Sequence, residues 1–138
     1  MRRKQVGEQL IAAARPSLAS GEHIRSWSPV WATECGGRVP LIFRGRSLHY
    51  AVVTDQRLIL FRPPRRRRKL TAANMLIAKR HPTFTLEKTR RFSPLLQLRV
   101  RGIGNREIAL EFRRRDRKVG YELASLLGER RALPRGTA

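Results

Sequence analysis

Residues 48–61 read LHYAVVTDQRLILF, and this stretch decides the fold class. Two apolar runs, residues 48–53 and 58–61, stand on either side of the polar residues Thr54, Asp55 and Gln56. A short polar connection between two apolar, β-prone runs is typical of a β-hairpin. The stretch therefore predicts an antiparallel sheet, whose other strands and cover must come from the flanking sequence.

A second hairpin is predicted further along the chain. Residues 96–101 and 107–112 each alternate apolar and polar side chains, and residues 102–105 (GIGN) supply turn chemistry between them. One face of this hairpin is expected to be core. The opposite charges on its other face can pair across the strands.

The remaining strands are predicted from shorter apolar segments. They are Ile24–Ala32, in which Pro29 indicates an edge strand or a bulge, Val39–Phe43 after the turn at Cys35-Gly36-Gly37, and Thr83–Lys88. Residues 70–78 fit a helix or an extended segment equally well. The prediction is thus about seven short strands between residues 19 and 128.

Both ends of the chain carry apolar residues at helical spacing. Residues 1–18 are predicted to form an amphipathic helix with Val6, Leu10, Ala14 and Leu18 on one face, weakened at its end by Pro16. After Asp116, a predicted N-cap, an apolar stripe predicts a closing helix that ends at Gly128: Val119, Leu123, Leu126 and Leu127. Residues 129–138 are predicted to be a basic, flexible tail. The fold class is mainly β: a curled antiparallel barrel with an N-terminal helix and a C-terminal capping helix.

The residues of the first hairpin carry a resemblance to a known family. Thr54-Asp55-Gln56-Arg57 and the apolar run after it, with Gly21-Glu22 opening the first strand, resemble the hairpin of bacterial PH-like (pleckstrin-homology and GRAM-like) domains. The resemblance implies a PH-like barrel, a non-enzymatic role, and binding of a lipid headgroup or a protein. It does not carry over a phosphoinositide site, because the first hairpin lacks a matching Lys-x-Arg pattern. Asp55 is expected to fix the turn by accepting backbone hydrogen bonds.

Charge is the feature of the sequence that bears on function. The chain has 31 Lys and Arg against 10 Asp and Glu, a net charge of +21, and residues 62–138 account for +16 of it. Such an excess favours association with polyanions. Arg greatly outnumbers Lys, which suits phosphate recognition but also arises in GC-rich coding sequence.

Four basic clusters are expected to converge on one face, and the loop from Arg65 to Lys69 is expected to make the principal contact. The candidate anion-binding residues are Arg62, Arg65, Arg66, Arg67, Arg68, Lys69, Lys79, Arg80, Arg90, Arg91, Arg114 and Arg115. The proposed partner is an anionic membrane surface or an acidic protein. RNA or DNA bound through its phosphates is the alternative, weakened by the few aromatic residues near the clusters.

The sequence offers no assembled site for chemistry. Cys35 is the single cysteine, and His23, His49 and His81 lie far apart without metal-ligand spacing. We expect no enzyme activity, no small-molecule substrate, no cofactor and no metal. A cytoplasmic location, with peripheral association at the inner face of a membrane, fits the absence of a signal-peptide pattern and of a long apolar span.

Overall fold

One curled antiparallel sheet forms the centre of the computed structural model, which describes residues 2–35, 47–66, 68–92, 94–102 and 107–136. Within these residues the sheet has seven strands: β1 (Ile24–Cys35), β2 (Ser47–Thr54), β3 (Arg57–Phe61), β4 (Met75–Arg80), β5 (Thr85–Phe92), β6 (Leu95–Arg101) and β7 (Glu107–Phe112). The helices are α1 (Arg3–Ala14) and α2 (Arg117–Gly136). The predicted fold class is confirmed: a half-barrel with a helix at each end of the chain.

The strand order is β4-β3-β2-β1-β7-β6-β5, so the first and last strands pair at the middle of the sheet. Both predicted hairpins are present: Val53 pairs with Leu58 in the first, and Leu98 pairs with Leu110 in the second. Residues 70–78, which the sequence left open, contain a short 3-10 turn, Ala72–Asn74, and then the start of β4. The predicted strand Val39–Phe43 lies outside the described residues.

Two details of β1 differ from the prediction. Cys35 is the last residue of β1 and pairs with Glu107, so it is not a turn residue. An edge strand or a bulge was expected at Pro29, but β1 pairs with β2 on one side and β7 on the other, and its register shift against β2 lies between Ile24 and Ser26. Pairing of β1 with β7 starts only at Trp31. Pro29 lies before that point, so its lack of a backbone N–H does not interrupt the hydrogen bonds between β1 and β7.

The hydrophobic core lies on both faces of β2 and β3. Ala51, Val53, Leu58 and Leu60 pack with β6, β7 and α2, while Val52, Ile59 and Phe61 pack with α1. Strands buried on both faces are apolar without alternation, which explains the continuous run at residues 58–61. The described helices include none that is long and apolar enough to span a bilayer.

Helix α1 lies across the outer face of β2 and β3. Val6, Leu10 and Ala14 of the predicted apolar stripe are buried, but the helix ends at Ala14 rather than at residue 18. Pro16 lies in a short 3-10 turn directly after the helix, and Leu18 follows that turn. Gly7 allows the close approach, because a Cβ atom there would lie 2.8 Å from Nε1 of Trp27. Arg3 pairs with Asp116 just before α2, so the start of α1 is tied to the start of α2.

Helix α2 covers the other face. Leu123 and Leu127 are buried in the core, and Gly120 packs so closely that a Cβ atom there would lie 2.7 Å from Cδ2 of Leu96. The prediction that the helix ends at Gly128 is wrong, since its backbone continues to Gly136. Gly128 does not adopt the positive φ that ends many helices. A helix tolerates a single glycine of this kind at a cost of about 1 kcal/mol.

Candidate anion-binding surface

The turn between β2 and β3 is held by buried polar contacts rather than exposed for binding. Glu22 Oε2 accepts hydrogen bonds from Thr54 Oγ1 (2.6 Å) and Arg57 Nε (2.9 Å), and Oε1 accepts from Arg57 Nη2 (2.9 Å). Burial alone raises the pKa of Glu22. The hydrogen bonds from Arg57, Thr54 and the Ala19 backbone outweigh it and lower the pKa to about 2.

Residues 54–57, which carry the resemblance to PH-like domains, thus have a structural role in this chain. Thr54 Oγ1 fixes the turn by accepting from the backbone N–H groups of Gln56 (3.1 Å) and Arg57 (2.7 Å). Asp55, expected to do this, instead accepts from the His23 N–H (3.0 Å) and so joins the turn to the start of β1. These groups already have hydrogen-bond partners within the fold.

The basic loop, residues 62–69, leads from β3 toward β4 and is anchored at both ends. Arg62 N–H donates to the Asn74 carbonyl (2.8 Å), and Leu70 N–H donates to Gln9 Oε1 on α1 (2.9 Å). Leu70 is buried in the cluster beneath α1. Arg62, Arg65, Arg66, Arg68 and Lys69 are exposed, and Arg67 lies outside the described residues.

A cleft of about 460 Å³ separates the basic loop from α1. Its apolar lining comes from Val6, Tyr50, Pro63, Pro64 and Leu70, and its polar lining from Gln9, Arg65, Arg66, Arg68 and Lys69. The described lining contains cations and no carboxylate. Elsewhere in the described chain, ion pairs join Arg3 to Asp116, Arg25 to Glu122, Arg57 to Glu22 and Arg101 to Glu87.

The expected convergence of all four basic clusters is not seen. Lys79 and Arg80 end β4, and the register places Arg80 beside Arg57, at the opposite end of the β3–β4 pair from the basic loop. A six-residue strand separates the two ends by roughly 17 Å. Lys79 Nζ donates to the Gly102 carbonyl (2.8 Å), so it also holds the fold.

The other two clusters share a second basic area. Arg91 is in register with Leu96, which is in register with Phe112, so the end of β5 lies two strand spacings, about 10 Å, from the end of β7. Arg114 and Arg115 follow β7 and are exposed, as is Arg91, while Arg90 is half-buried. Neighbouring Arg113 lies 5.2 Å above the Trp31 ring. None of these residues lines the cleft.

Two of the histidines considered as candidates for catalysis or metal binding lie within hydrogen-bond distance of backbone carbonyl groups. His81 is fully buried with Nε2 2.8 Å from the Thr54 carbonyl, and His49 Nδ1 lies 3.0 Å from the Ser47 carbonyl. Across the described part of the chain, His, Cys, Asp and Glu side chains form no group of three that could hold a metal ion. The described lining of the cleft offers cationic and apolar side chains.

Sequence reasoning found the basic loop but missed its partner across the cleft. Val6, Gln9 and Tyr50 lie far from the loop in sequence, and only packing of α1 on the sheet brings them together. Comparison with known proteins adds no assignment: no family model matches the chain, and no curated protein matches it significantly.

Proposed function

We propose that this protein is a non-enzymatic, PH-like binding module that associates through its basic loop with an anionic partner, a membrane surface or an acidic protein. The supporting observation is the anchored loop itself. It presents the exposed cations Arg62, Arg65, Arg66, Arg68 and Lys69 beside a cleft whose described lining carries no carboxylate. Clustered cations that are not neutralised nearby raise the local concentration of an anionic partner.

The first test neutralises the loop without changing the core. A variant with Arg65, Arg66, Arg67, Arg68 and Lys69 replaced by Gln is compared with a control in which Arg80, Lys88, Arg91, Arg114 and Arg115 are replaced by Gln. Both lose the same formal charge. Each cation near an anionic leaflet contributes about 1 kcal/mol, so the loop variant should lose more than about tenfold in co-sedimentation with anionic vesicles.

Equal losses in the two variants would contradict the loop assignment and indicate that net charge alone drives association. Circular dichroism and a denaturation midpoint verify that both variants fold. Because the substituted loop side chains are exposed where described, neither measurement should change much.

Competition identifies the class of partner. Protein bound to anionic vesicles at about physiological salt is challenged with excess RNA and, separately, with an acidic peptide. Retention on vesicles despite RNA supports the membrane partner, and displacement by the acidic peptide but not by RNA supports the acidic protein partner. Complete transfer to RNA would favour nucleic acid instead, with binding to phosphates through counterion release.

A further inference from the structure

We propose that the cleft between α1 and the basic loop receives an apolar side chain of an acidic peptide, while the loop cations hold the carboxylates on either side of it. This inference rests on the proposed function and names the partner that the basic loop would select. It commits to a peptide rather than a lipid surface or a nucleic acid.

The first argument is the pairing of apolar and cationic lining in one recess. Val6 and Leu70 are 9% and 5% exposed and close one part of the cleft with half-buried Tyr50. Arg65, Arg66, Arg68 and Lys69 line the rest together with two prolines and Gln9. A ligand that satisfies both parts must carry an apolar group next to negative charge.

The second argument is size and shape. About 460 Å³ lies within the range of roughly 300–1,000 Å³ typical of sites for small ligands, and it accommodates a large apolar side chain. A layer of lipid headgroups does not project an apolar group into a recess. A nucleic-acid base would bring polar edges against Val6 and Leu70, where they would lose hydrogen bonds to water.

The third argument is that the cleft is formed before any ligand arrives. The hydrogen bond from Leu70 N–H to Gln9 Oε1 (2.9 Å) ties the loop to α1, and the Arg68 N–H donates to the Arg65 carbonyl (2.9 Å) within the loop. A pre-formed site spends less binding free energy on ordering the loop. The structure therefore favours a site that selects the shape of its occupant as well as its charge.

The test compares two dye-labelled peptides in fluorescence anisotropy at about 0.1 M salt. Both are short runs of alternating Asp and Glu, one with a central Phe and the other with a central Ser. Burial of most of the Phe side chain should make the Phe peptide bind about tenfold more tightly. In Tyr50→Ser this preference should fall below about threefold, because the cleft loses part of its apolar lining.

Tyr121→Ser is the matched control. Tyr121 is 45% exposed on α2 and does not line the cleft, so its loss should leave the preference unchanged. A second measurement needs no substitution and covers a failure of Tyr50→Ser to fold. With a nitroxide attached beside the central Phe, the peptide should broaden the methyl NMR signals of Val6 and Leu70.

Each outcome decides one of the two proposals. Equal affinity for the two peptides, weakened for both by neutralising the basic loop, would overturn the cleft assignment and leave the anion-binding function standing. Binding to vesicles but to neither peptide would overturn it as well. Failure to bind peptides, vesicles and RNA alike would instead overturn the proposed function.

Discussion

Glu22 lies at the junction of two segments that are distant in sequence, residues 17–22 and 54–57. Its carboxylate accepts from Thr54 and from two nitrogens of Arg57, while Arg57 Nη2 also donates to the Ser17 carbonyl (2.7 Å). With 0% side-chain exposure for Glu22 and 18% for Arg57, water competes little for these bonds. Removing one partner of such a pair leaves the other charge buried and uncompensated.

Acid stability is expected to report on this pair. The pKa of Glu22 falls from 4.5 to about 2 on folding, so its stabilisation is complete above pH 4.5 and is lost as the pH falls toward 2. Glu22→Gln should lower the free energy of unfolding by about 3 kcal/mol at neutral pH and by less near pH 3. Urea denaturation at the two pH values measures this difference.

The control is Glu87→Gln, which removes a carboxylate paired with Arg101 at 3.4 Å on an exposed part of the sheet. It should change stability by less than about 1 kcal/mol at either pH. A Glu22→Gln effect that does not shrink on acidification would contradict the assigned pKa.

Gly7 and Gly128 form a matched pair of helical glycines. A Cβ at Gly7 would meet the Trp27 ring at 2.8 Å, whereas a Cβ at Gly128 meets nothing within 4 Å. Gly7→Ala should therefore destabilise the protein by about 1–3 kcal/mol despite the better helix propensity of Ala. Gly128→Ala should stabilise it by up to about 1 kcal/mol, and denaturation midpoints of the two variants should move in opposite directions.

At the level of elements, β2 and β3 depend on both helices. Their side chains alternate between the α2 core and the α1 core, so neither face of this hairpin can be left open without exposing apolar surface. Helix α1 is held by its own apolar stripe, by Gln9 and by the Arg3–Asp116 pair. It therefore stabilises the sheet and also forms one side of the cleft.

Leu10→Ala tests the contribution of α1. Leu10 is fully buried, and its truncation should cost about 2–5 kcal/mol through lost burial and a residual cavity. Leu76→Ala, at a side chain 40% exposed on β4, should stay within about 0.5 kcal/mol. Similar denaturation midpoints for the two variants would show that α1 does not pack as described.

At the level of the whole molecule, charge acts on stability as well as on binding. A net charge of +21 on 138 residues repels itself, and the described structure divides its basic clusters among separate areas. Separation lowers the repulsion within each area but leaves a positive potential around the molecule. Added salt should relieve that repulsion, whereas the buried Glu22–Arg57 pair is screened little.

The melting temperature is accordingly expected to rise between about 0.02 M and 0.3 M sodium chloride. In the variant whose Arg65, Arg66, Arg67, Arg68 and Lys69 are replaced by Gln, the rise should be smaller, because five positive charges are gone. Differential scanning fluorimetry of both proteins across this salt range measures the effect. A fall in melting temperature with salt would mean that surface ion pairs outweigh the repulsion.

Local pattern was enough to predict much of this fold and one side of the candidate site. The two hairpins, the apolar stripes of both helices and the basic loop follow from periodicity and turn residues within short windows. The end of α2 was predicted wrongly because a glycine is a weak stop signal when no αL turn follows it.

The sequence by itself determined the fold class and the presence of an exposed basic loop, because both depend on neighbours along the chain. Tertiary structure alone decided that α1 covers the outer face of β2 and β3, that Lys79 and Arg80 lie away from the loop, and that Val6 and Tyr50 face its cations across a cleft. These are contacts between residues far apart in sequence, and strand register and helix packing, rather than local propensity, place them.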